Sequence, residues 1–409
     1  MPENENFSLS QHDLRIYLDF IEWQKQSWYG APDSENLLPY VSARCTPQEA
    51  ALLTGVPFSF KTLADLSDLK GIDPETLRRE LDGLALKGLV NKQVKDGVPR
   101  YSLQDLFTTY RTFGWPGRKD PYSQTVGPPG HRYLAGGALA PWEKVREKGL
   151  RVLPIGTAIE DTRSVLPYEE IRQILDQVEY FTVSHCPCRI MNNLDPDSPD
   201  CRYPTEVCLH FDKLGRYIVE NGLGREISRQ ETEEILRRSA ELGLVHGISN
   251  QQEKPDTICN CCRDCCIWFL ALKKYGHGAS LTPSNFHIAI HQETCIGCGL
   301  CAKRCPMEAV QLVDRPEVKG RKTTVRGKDG KPLELTNQTG KVAEVNLDRC
   351  IGCGVCAYKC PSRSLGLVRK PSEHPPPKTG RDWFMQFLAD TGGVQAFPRS
   401  ERSSLLPTR

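Results

Sequence analysis

The chain has 409 residues, with 53 basic and 51 acidic side chains and 18 cysteines. This length is enough for about two to four domains, and the near-neutral charge argues against a general nucleic-acid-binding protein. The acidic start of the chain argues against a secretory signal, and no apolar run of about 18 residues suggests a membrane span. The cysteines are therefore expected to be reduced and metal-loaded in the cytoplasm.

The first predicted domain covers residues 1–112. Apolar residues at mixed helical spacing predict a helix within residues 9–30. Thr46–Glu49 combines an N-cap threonine, a proline in the first turn and a glutamate that closes a capping box, which predicts the start of a second helix. Two more helices and a hairpin that turns at Asp96–Gly97 follow. Three helices and a two-stranded wing predict a winged-helix-like docking domain.

A winged helix can place its third helix in the major groove of DNA. Between residues 61 and 103, however, eight basic side chains are accompanied by seven acidic ones. A net charge of about +1 gives little attraction for phosphates. We therefore expect a protein-docking or structural role, with DNA binding as the alternative. Cys45 stands alone in this region, which is typical of a buried small side chain.

Residues 113–149 are rich in glycine and proline, including Pro128-Pro129-Gly130. This composition predicts a linker or an extended arm that crosses a partner surface.

A Cys-rich α/β module is expected over residues 150–285, with an apolar strand at 150–155 and a capped helix from Ser228 to about Gly243.

Nine cysteines of this module are candidate metal ligands: Cys186, Cys188, Cys201, Cys208, Cys259, Cys261, Cys262, Cys265 and Cys266. Adjacent cysteines cannot easily face one cluster, so some of these thiols are expected to face different sites or the core. Three interpretations stay open. The module holds one or two additional iron–sulfur clusters, or a structural zinc ion bound by four thiols, or thiols that are redox-active or merely buried.

The strongest motif is a cysteine pattern that occurs twice between residues 295 and 361. Each copy has the form Cys-x-x-Cys-x-x-Cys-x-x-x-Cys-Pro, and both copies open with Cys-Ile-Gly-Cys-Gly. Zinc sites prefer two pairs with a longer spacer, whereas three closely spaced thiols can surround one cubane cluster while the fourth reaches the other cluster. This spacing predicts two [4Fe–4S] clusters, the first bound by Cys295, Cys298, Cys301 and Cys360, the second by Cys350, Cys353, Cys356 and Cys305.

On these motifs, residues 286–368 resemble a bacterial-type ferredoxin domain with two [4Fe–4S] clusters. The resemblance implies a pseudo-twofold β-α-β fold. The segment 311–349 is longer than the family's minimal form, and it predicts an inserted β-hairpin that turns at Asp329-Gly330. The middle cysteines resemble the module that precedes the ferredoxin domain in a family of bacterial and archaeal [4Fe–4S] dicluster-domain proteins. This second resemblance implies electron transfer.

Residues 369–409 are expected to form a Pro-rich tail with a short amphipathic helix over 381–390. This helix either packs on its own chain or docks on a partner, and the chain from Gly392 is expected to be loose. The complete prediction is an α+β multidomain fold with a winged-helix-like domain, a Cys-rich α/β module and a ferredoxin-like domain with an inserted hairpin.

Motifs for dinucleotides, nucleoside phosphates, radical-initiating clusters and covalent haem are absent from the sequence. Clusters without a recognisable substrate pocket favour an electron carrier. We expect an electron-transfer subunit or partner of a larger oxidoreductase, a flavoprotein or metalloenzyme, in an anaerobic or microaerobic cell. Two alternatives stay open: an iron–sulfur redox-sensing transcriptional regulator, and a low-potential reductase whose active centre is the 186–266 module.

Overall fold

The computed structural model describes residues 9–27, 29–107, 120–136, 138–139, 143, 145–275, 281–326 and 330–391. Helices and strands are mixed along the chain, as predicted, and the chain divides into two compact units. The first unit contains residues 1–141, 187–200 and 388–409, and the second contains residues 142–186 and 201–387. No helix of the described chain combines the length and the hydropathy needed to cross a membrane.

The helices and strands are numbered here in chain order. The helices are α1 (Gln11–Gln24), α2 (Leu37–Arg44), α3 (Pro47–Leu53), α4 (Leu63–Lys70), α5 (Pro74–Leu86), α6 (Pro121–Ala135), α7 (Ile171–Leu175), α8 (Pro187–Leu194), α9 (Asp212–Glu220), α10 (Arg229–Leu242), α11 (Ile267–Tyr275), α12 (Leu300–Arg304), α13 (Val355–Tyr358) and α14 (Gly380–Asp390).

The strands are β1 (Lys61–Thr62), β2 (Val90–Lys95), β3 (Val98–Leu103), β4 (Leu150–Val152), β5 (Phe181–His185), β6 (Glu206–Phe211), β7 (Arg225–Ile227), β8 (Val245–Ser249), β9 (Thr257–Cys261), β10 (Leu281–Thr282), β11 (Phe286–Ile290), β12 (Val310–Asp314), β13 (Lys322–Arg326), β14 (Pro332–Thr336), β15 (Lys341–Val345) and β16 (Leu365–Arg369).

In the first unit, the elements expected for a winged-helix-like domain are present. Thr46 accepts a hydrogen bond from the backbone N–H of Glu49, and the Glu49 carboxylate accepts one from Thr46, so the predicted capping box starts α3. The hairpin β2–β3 turns through Asp96 and Gly97, both at positive φ, which is the turn that an Asp-Gly pair favours. Cys45 is buried, as predicted. The assignment to the winged-helix fold stays a prediction.

The prediction of a linker or extended arm over residues 113–149 is wrong where α6 forms. Asp120 caps this helix through the backbone N–H of Ser123, and Pro121 occupies the first turn, where its missing N–H costs no hydrogen bond. Buried side chains, including Val126 and Leu134, then hold the helix despite two prolines in its interior. Residues 113–119 of the predicted linker lie outside the described residues.

The second unit is built on a seven-stranded sheet with the strand order β10-β4-β8-β9-β6-β5-β7. One face carries an apolar cluster that includes Val183, Leu209 and Ile258. Successive side chains of a strand point to opposite faces. The alternation therefore places Cys208 on β6 and Cys259 and Cys261 on β9 on the face away from this cluster.

The two cysteine runs lie in a domain with approximate twofold repetition. Strand β11 pairs with β16 and strand β12 pairs with β15, both antiparallel, while α12 and α13 each lie within one cysteine run. The segment between the runs contains the hairpin β13–β14, whose register joins Lys322 to Thr336. The turn residues Lys328 and Asp329 lie outside the described residues.

The predicted tail helix is present as α14. The indole N–H of Trp383 donates to the backbone carbonyls of Glu147 and Lys148 at 3.1 and 3.0 Å. Within the second unit, this end of the helix therefore packs on its own chain. Residues 392–409, where a loose end was expected, lie outside the described residues.

Candidate metal centres

The first candidate centre is a cavity lined by thiols from both cysteine runs. Cys295, Cys298 and Cys301 come from the first run and Cys360 comes from the end of the second run. Cys298 is exposed, whereas Cys295 and Cys301 are buried. Burial, with a smaller contribution from the three neighbouring thiols, raises the pKa of the Cys301 thiol to about 12.

The second candidate centre mirrors the first. Cys350, Cys353 and Cys356 line a cavity together with Cys305, the last cysteine of the first run. Burial raises the pKa of Cys353 to about 12, and the pKa of Cys356 is raised for the same reason. A set of four converging thiols fits a cationic iron centre, because bound metal ions offset the repulsion between thiolates.

Glycines allow each cysteine run to fold tightly around its cavity. Gly297 has a φ of 66° and Gly352 a φ of 69°. A Cβ atom at Gly297 would overlap the carbonyl oxygen of Lys341, and one at Gly352 would overlap the carbonyl oxygen of Phe286. Only glycine combines this backbone conformation with so close an approach.

Polar side chains that the sequence did not single out support the first cysteine run. Asn337 is fully buried and donates to the Cys295 carbonyl at 3.0 Å, and Arg321 donates to the same carbonyl at 3.1 Å. Ser362 and Ser364 place their hydroxyl oxygens 3.7 and 3.5 Å from the sulfur of Cys360. The serines lie within four residues of Cys360 in the sequence, whereas the contacts of Asn337 and Arg321 with Cys295 span long stretches of chain that no local pattern joins.

The cysteines of the middle module fall into separate groups. Cys201, Cys262 and Cys265 form one, named here the Cys262 group, in which all three sulfur atoms lie within 4.8 Å of one another. Cys261 instead interacts with Cys259 and Cys266, and these three are named the Cys261 group. In both groups, the contacts between thiols raise the pKa of the central cysteines, Cys265 and Cys261.

The remaining three candidate cysteines lie at different places in the fold. The register of β6 and β9 pairs Leu209 with Ile258, which puts Cys208 opposite Cys259 of the Cys261 group. Cys186 follows β5, and its backbone N–H donates to the Thr205 carbonyl at 2.7 Å. Cys188 is buried in the first turn of α8, which belongs to the first unit.

Comparison with known proteins identifies the double cysteine run. The family described as 4Fe-4S dicluster domain matches residues 294–364. A putative ferredoxin-3 of Sinorhizobium fredii is 38% identical over 89 residues, which cover 20% of this chain and 78% of that protein. Ferredoxin-3 of Rhodobacter capsulatus is 33% identical over 85 residues, which cover 21% of this chain and 82% of that protein.

The chain also matches a small part of a larger protein. ABC transporter E family member 1 of Arabidopsis thaliana is 34% identical over 79 residues, but the match covers 19% of this chain and only 13% of that protein. Solved structures gave no significant match to the chain.

The two four-thiol cavities on a repeated β-α-β frame define an iron–sulfur domain of the ferredoxin class. The chain belongs to the family of dicluster ferredoxin-domain proteins. Iron–sulfur electron transfer is the function that this membership supports.

Proposed function

We propose that the chain is an electron-transfer subunit or dedicated partner of a larger oxidoreductase and carries two [4Fe–4S] clusters. The observation that supports this proposal is the thiol lining of the two cavities, in which each cysteine run contributes its fourth thiol to the other cavity. When bound, a cluster supplies reversible one-electron oxidation and reduction. The cluster ligands proposed are the eight cysteines assigned from the sequence.

The surroundings of the thiols suit this role. Apolar side chains, Leu300 and Leu312 in the first cavity and Ile351 and Leu367 in the second, keep water from most of the lining. Cys298 is the exposed member of the first cavity. A redox partner can therefore approach the first cavity most closely at Cys298, and we propose this surface as the point of electron exchange.

The proposed compartment is the cytoplasm, and the proposed partners are flavoproteins or metalloenzymes. All 18 cysteines are described by the structure and none forms a disulfide, which suits a reducing compartment. The partner role rests on the ferredoxin-type domain, because a chain that stores single electrons needs a donor and an acceptor.

The test is metal analysis of the anaerobically purified chain with EPR spectroscopy of the reduced form. We expect about eight iron and eight sulfide per chain from two clusters. Cys301→Ser should remove the signal of the first cluster and leave the second, and Cys356→Ser should do the reverse. Cys45→Ser removes a buried cysteine outside both cavities and should leave both signals.

The partner role is tested by anaerobic capture on the immobilised, reduced chain. We expect the captured flavoprotein or metalloenzyme to oxidise the reduced clusters, and Cys301→Ser to slow that oxidation. Iron far below eight per chain, or a Cys301→Ser variant that loses both signals in a folded protein, would contradict the two-cluster proposal. Clusters that no captured oxidoreductase oxidises would contradict the partner role alone.

A further inference from the structure

Three buried or half-buried thiols of the Cys262 group meet outside the ferredoxin cavities. The sulfur atoms of Cys262 and Cys265 lie 2.9 Å apart, and those of Cys201 and Cys262 lie 3.9 Å apart. Cys262 and Cys265 are 2% and 0% exposed, and Cys201 is half-buried. All three belong to the second unit, so the group is a local feature of one compact body.

The local backbone explains why adjacent cysteines of this region separate. Cys261 is the last residue of β9, and its side chain follows the strand alternation toward Cys259. Cys262 begins the turn that leads to α11, and the spacing Cys262-x-x-Cys265 brings two thiols of that turn together. Cys266 is again directed to Cys261. Each adjacent pair is therefore divided between the two groups.

The spacing of the sulfur atoms indicates what the Cys262 group can bind. Two thiolates bound tetrahedrally to one zinc ion at about 2.3 Å lie roughly 3.8 Å apart, which is within the range of separations in this group. A cubane cluster is larger and holds its thiolates further apart. Consistent with that difference, none of the eight ferredoxin cysteines, all of them described, forms a group of three sulfur atoms within 4.8 Å.

We propose that Cys201, Cys262 and Cys265 bind a single thiophilic divalent ion, with Zn²⁺ as the expected occupant, separate from the iron of the ferredoxin domain. The group supplies three of the four ligands that zinc prefers, and a solvent molecule can take the fourth position. Soft thiolate ligands without a carboxylate select zinc over magnesium or calcium.

The shell around the three thiols suits a bound ion. Leu244 and Tyr203 pack against them and limit the access of water, while the partial exposure of Cys201 leaves a route for the ion. Three thiolates and one divalent ion leave a net negative charge. Arg202 lies within electrostatic range of Cys201, and Arg263 lies within the turn itself.

The turn that carries two of these thiols contacts the ferredoxin domain. Arg263 pairs with Glu308 at 3.5 Å, and Glu308 directly follows Met307, which lines the second cavity. Arg304 of α12 donates to the carbonyls of Ala240 and Glu241 at the end of α10, at 2.9 and 3.1 Å. A metal ion at the Cys262 group would therefore fix the Cys-rich module beside the second ferredoxin cavity.

The first test measures zinc and iron together in the full chain, purified anaerobically from cells supplied with both metals. We expect about one zinc ion per chain, and its loss in Cys201→Ser, Cys262→Ser and Cys265→Ser while the iron content stays unchanged. Cys45→Ser, which removes a buried thiol of the first unit, should retain the zinc. Retained iron shows that each variant has folded.

A second measurement uses the wild-type chain, so it does not depend on the folding of any variant. Alkylation mapped by mass spectrometry should find Cys201, Cys262 and Cys265 protected, and a zinc chelator should make these three reactive while Cys45 stays unchanged. Wild-type protein without zinc, zinc retained by all three variants, or the loss of iron in place of zinc would each overturn the proposal. The EPR signals of the two ferredoxin clusters, recorded on the same samples, show whether any iron that is lost came from those clusters.

Discussion

Two serines distinguish the first ferredoxin cavity from the second. Ser362 and Ser364 lie near the sulfur of Cys360, at the second and fourth positions after it. The equivalent positions after Cys305 are Met307 and Ala309, where the backbone N–H of Ala309 donates to the Cys305 sulfur at 3.2 Å. The sulfur of Cys360 therefore has hydroxyl neighbours that its counterpart lacks.

We predict that replacing the serines beside Cys360 lowers the reduction potential of the first cluster, and that introducing serines beside Cys305 raises that of the second. Hydrogen bonds to cluster sulfur stabilise the reduced, more negative state. Ser362→Met with Ser364→Ala should therefore make the potential of the first cluster more negative and leave that of the second unchanged. Redox titration followed by EPR measures both potentials.

The reciprocal variant, Met307→Ser with Ala309→Ser, serves as the matched control. It should raise the potential of the second cluster alone. Equal shifts of both clusters in either variant would show that the serines do not act locally on the Cys360 sulfur.

At the scale of elements, the inserted hairpin is joined to the first cysteine run at its base. Arg321 precedes β13 and Asn337 follows β14, and both donate to the carbonyl of Cys295. Asn337 also donates to the Lys341 carbonyl at 2.8 Å and accepts from the backbone N–H of Gly340 at 2.9 Å. One buried amide thus joins the backbone of the first cysteine run to the backbone of Gly340 and Lys341.

We predict that Asn337→Ala weakens the first cluster selectively. The loss of one buried hydrogen bond costs about 0.5–1.5 kcal/mol, and one of the bonds lost here is to the carbonyl of Cys295, a proposed ligand that keeps Arg321 as a side-chain donor. Iron release to a chelator, followed by the EPR signal of each cluster, should be faster for the first cluster and unchanged for the second.

Lys322→Ala, on the same hairpin, provides the comparison for that prediction. Lys322 pairs with Glu334 at 2.9 Å, but both side chains are more than half exposed. An exposed ion pair contributes about 0–1 kcal/mol, so this variant should release iron at the wild-type rate. Equal acceleration by both variants would mean that the hairpin acts as a whole and not through Asn337.

The sequence predicted correctly those helices, strands and turns that a few neighbouring residues specify. The capping box at Thr46, the hairpin turn at Asp96–Gly97 and the capped helix that begins after Ser228 are all present. The helix α6 was missed because its prolines and glycines have low helix propensity, and burial of its apolar face outweighs that cost. The sequence predicted that adjacent cysteines of the middle module face different sites. Which cysteine belongs to which group depends on the register of β9, which no local pattern specifies.

At the scale of the whole molecule, the balance of charge limits what the chain can attract. Its 53 basic and 51 acidic side chains leave a formal net charge of +2. Non-specific binding to duplex DNA depends on phosphate neutralisation by many basic groups. The hypothesis of a redox-sensing regulator would require a concentrated basic surface that the composition of residues 61–103 does not supply.

We predict that the full chain, with its clusters oxidised or reduced, binds random duplex DNA with a dissociation constant above about 0.1 mM at near-physiological salt. Fluorescence anisotropy with a labelled duplex, repeated at low salt, measures the affinity and its salt dependence. Tighter binding with a steep salt dependence, or a response to the redox state, would favour the regulator over the electron carrier.

The exchange of the fourth thiol between the two cysteine runs also has a consequence for how the protein is made. Cys295 and Cys360, which line the same cavity, are separated along the chain by most of the ferredoxin domain. While the ribosome is still translating the second run, only three of the four thiols of the first cavity have been made. The fourth cysteine of the first run, Cys305, belongs to the second cavity. The second cavity has all its thiols only once Cys356 has emerged, and the first only once Cys360 has emerged. Iron delivery to either cavity therefore has to wait until almost the whole ferredoxin domain has been translated.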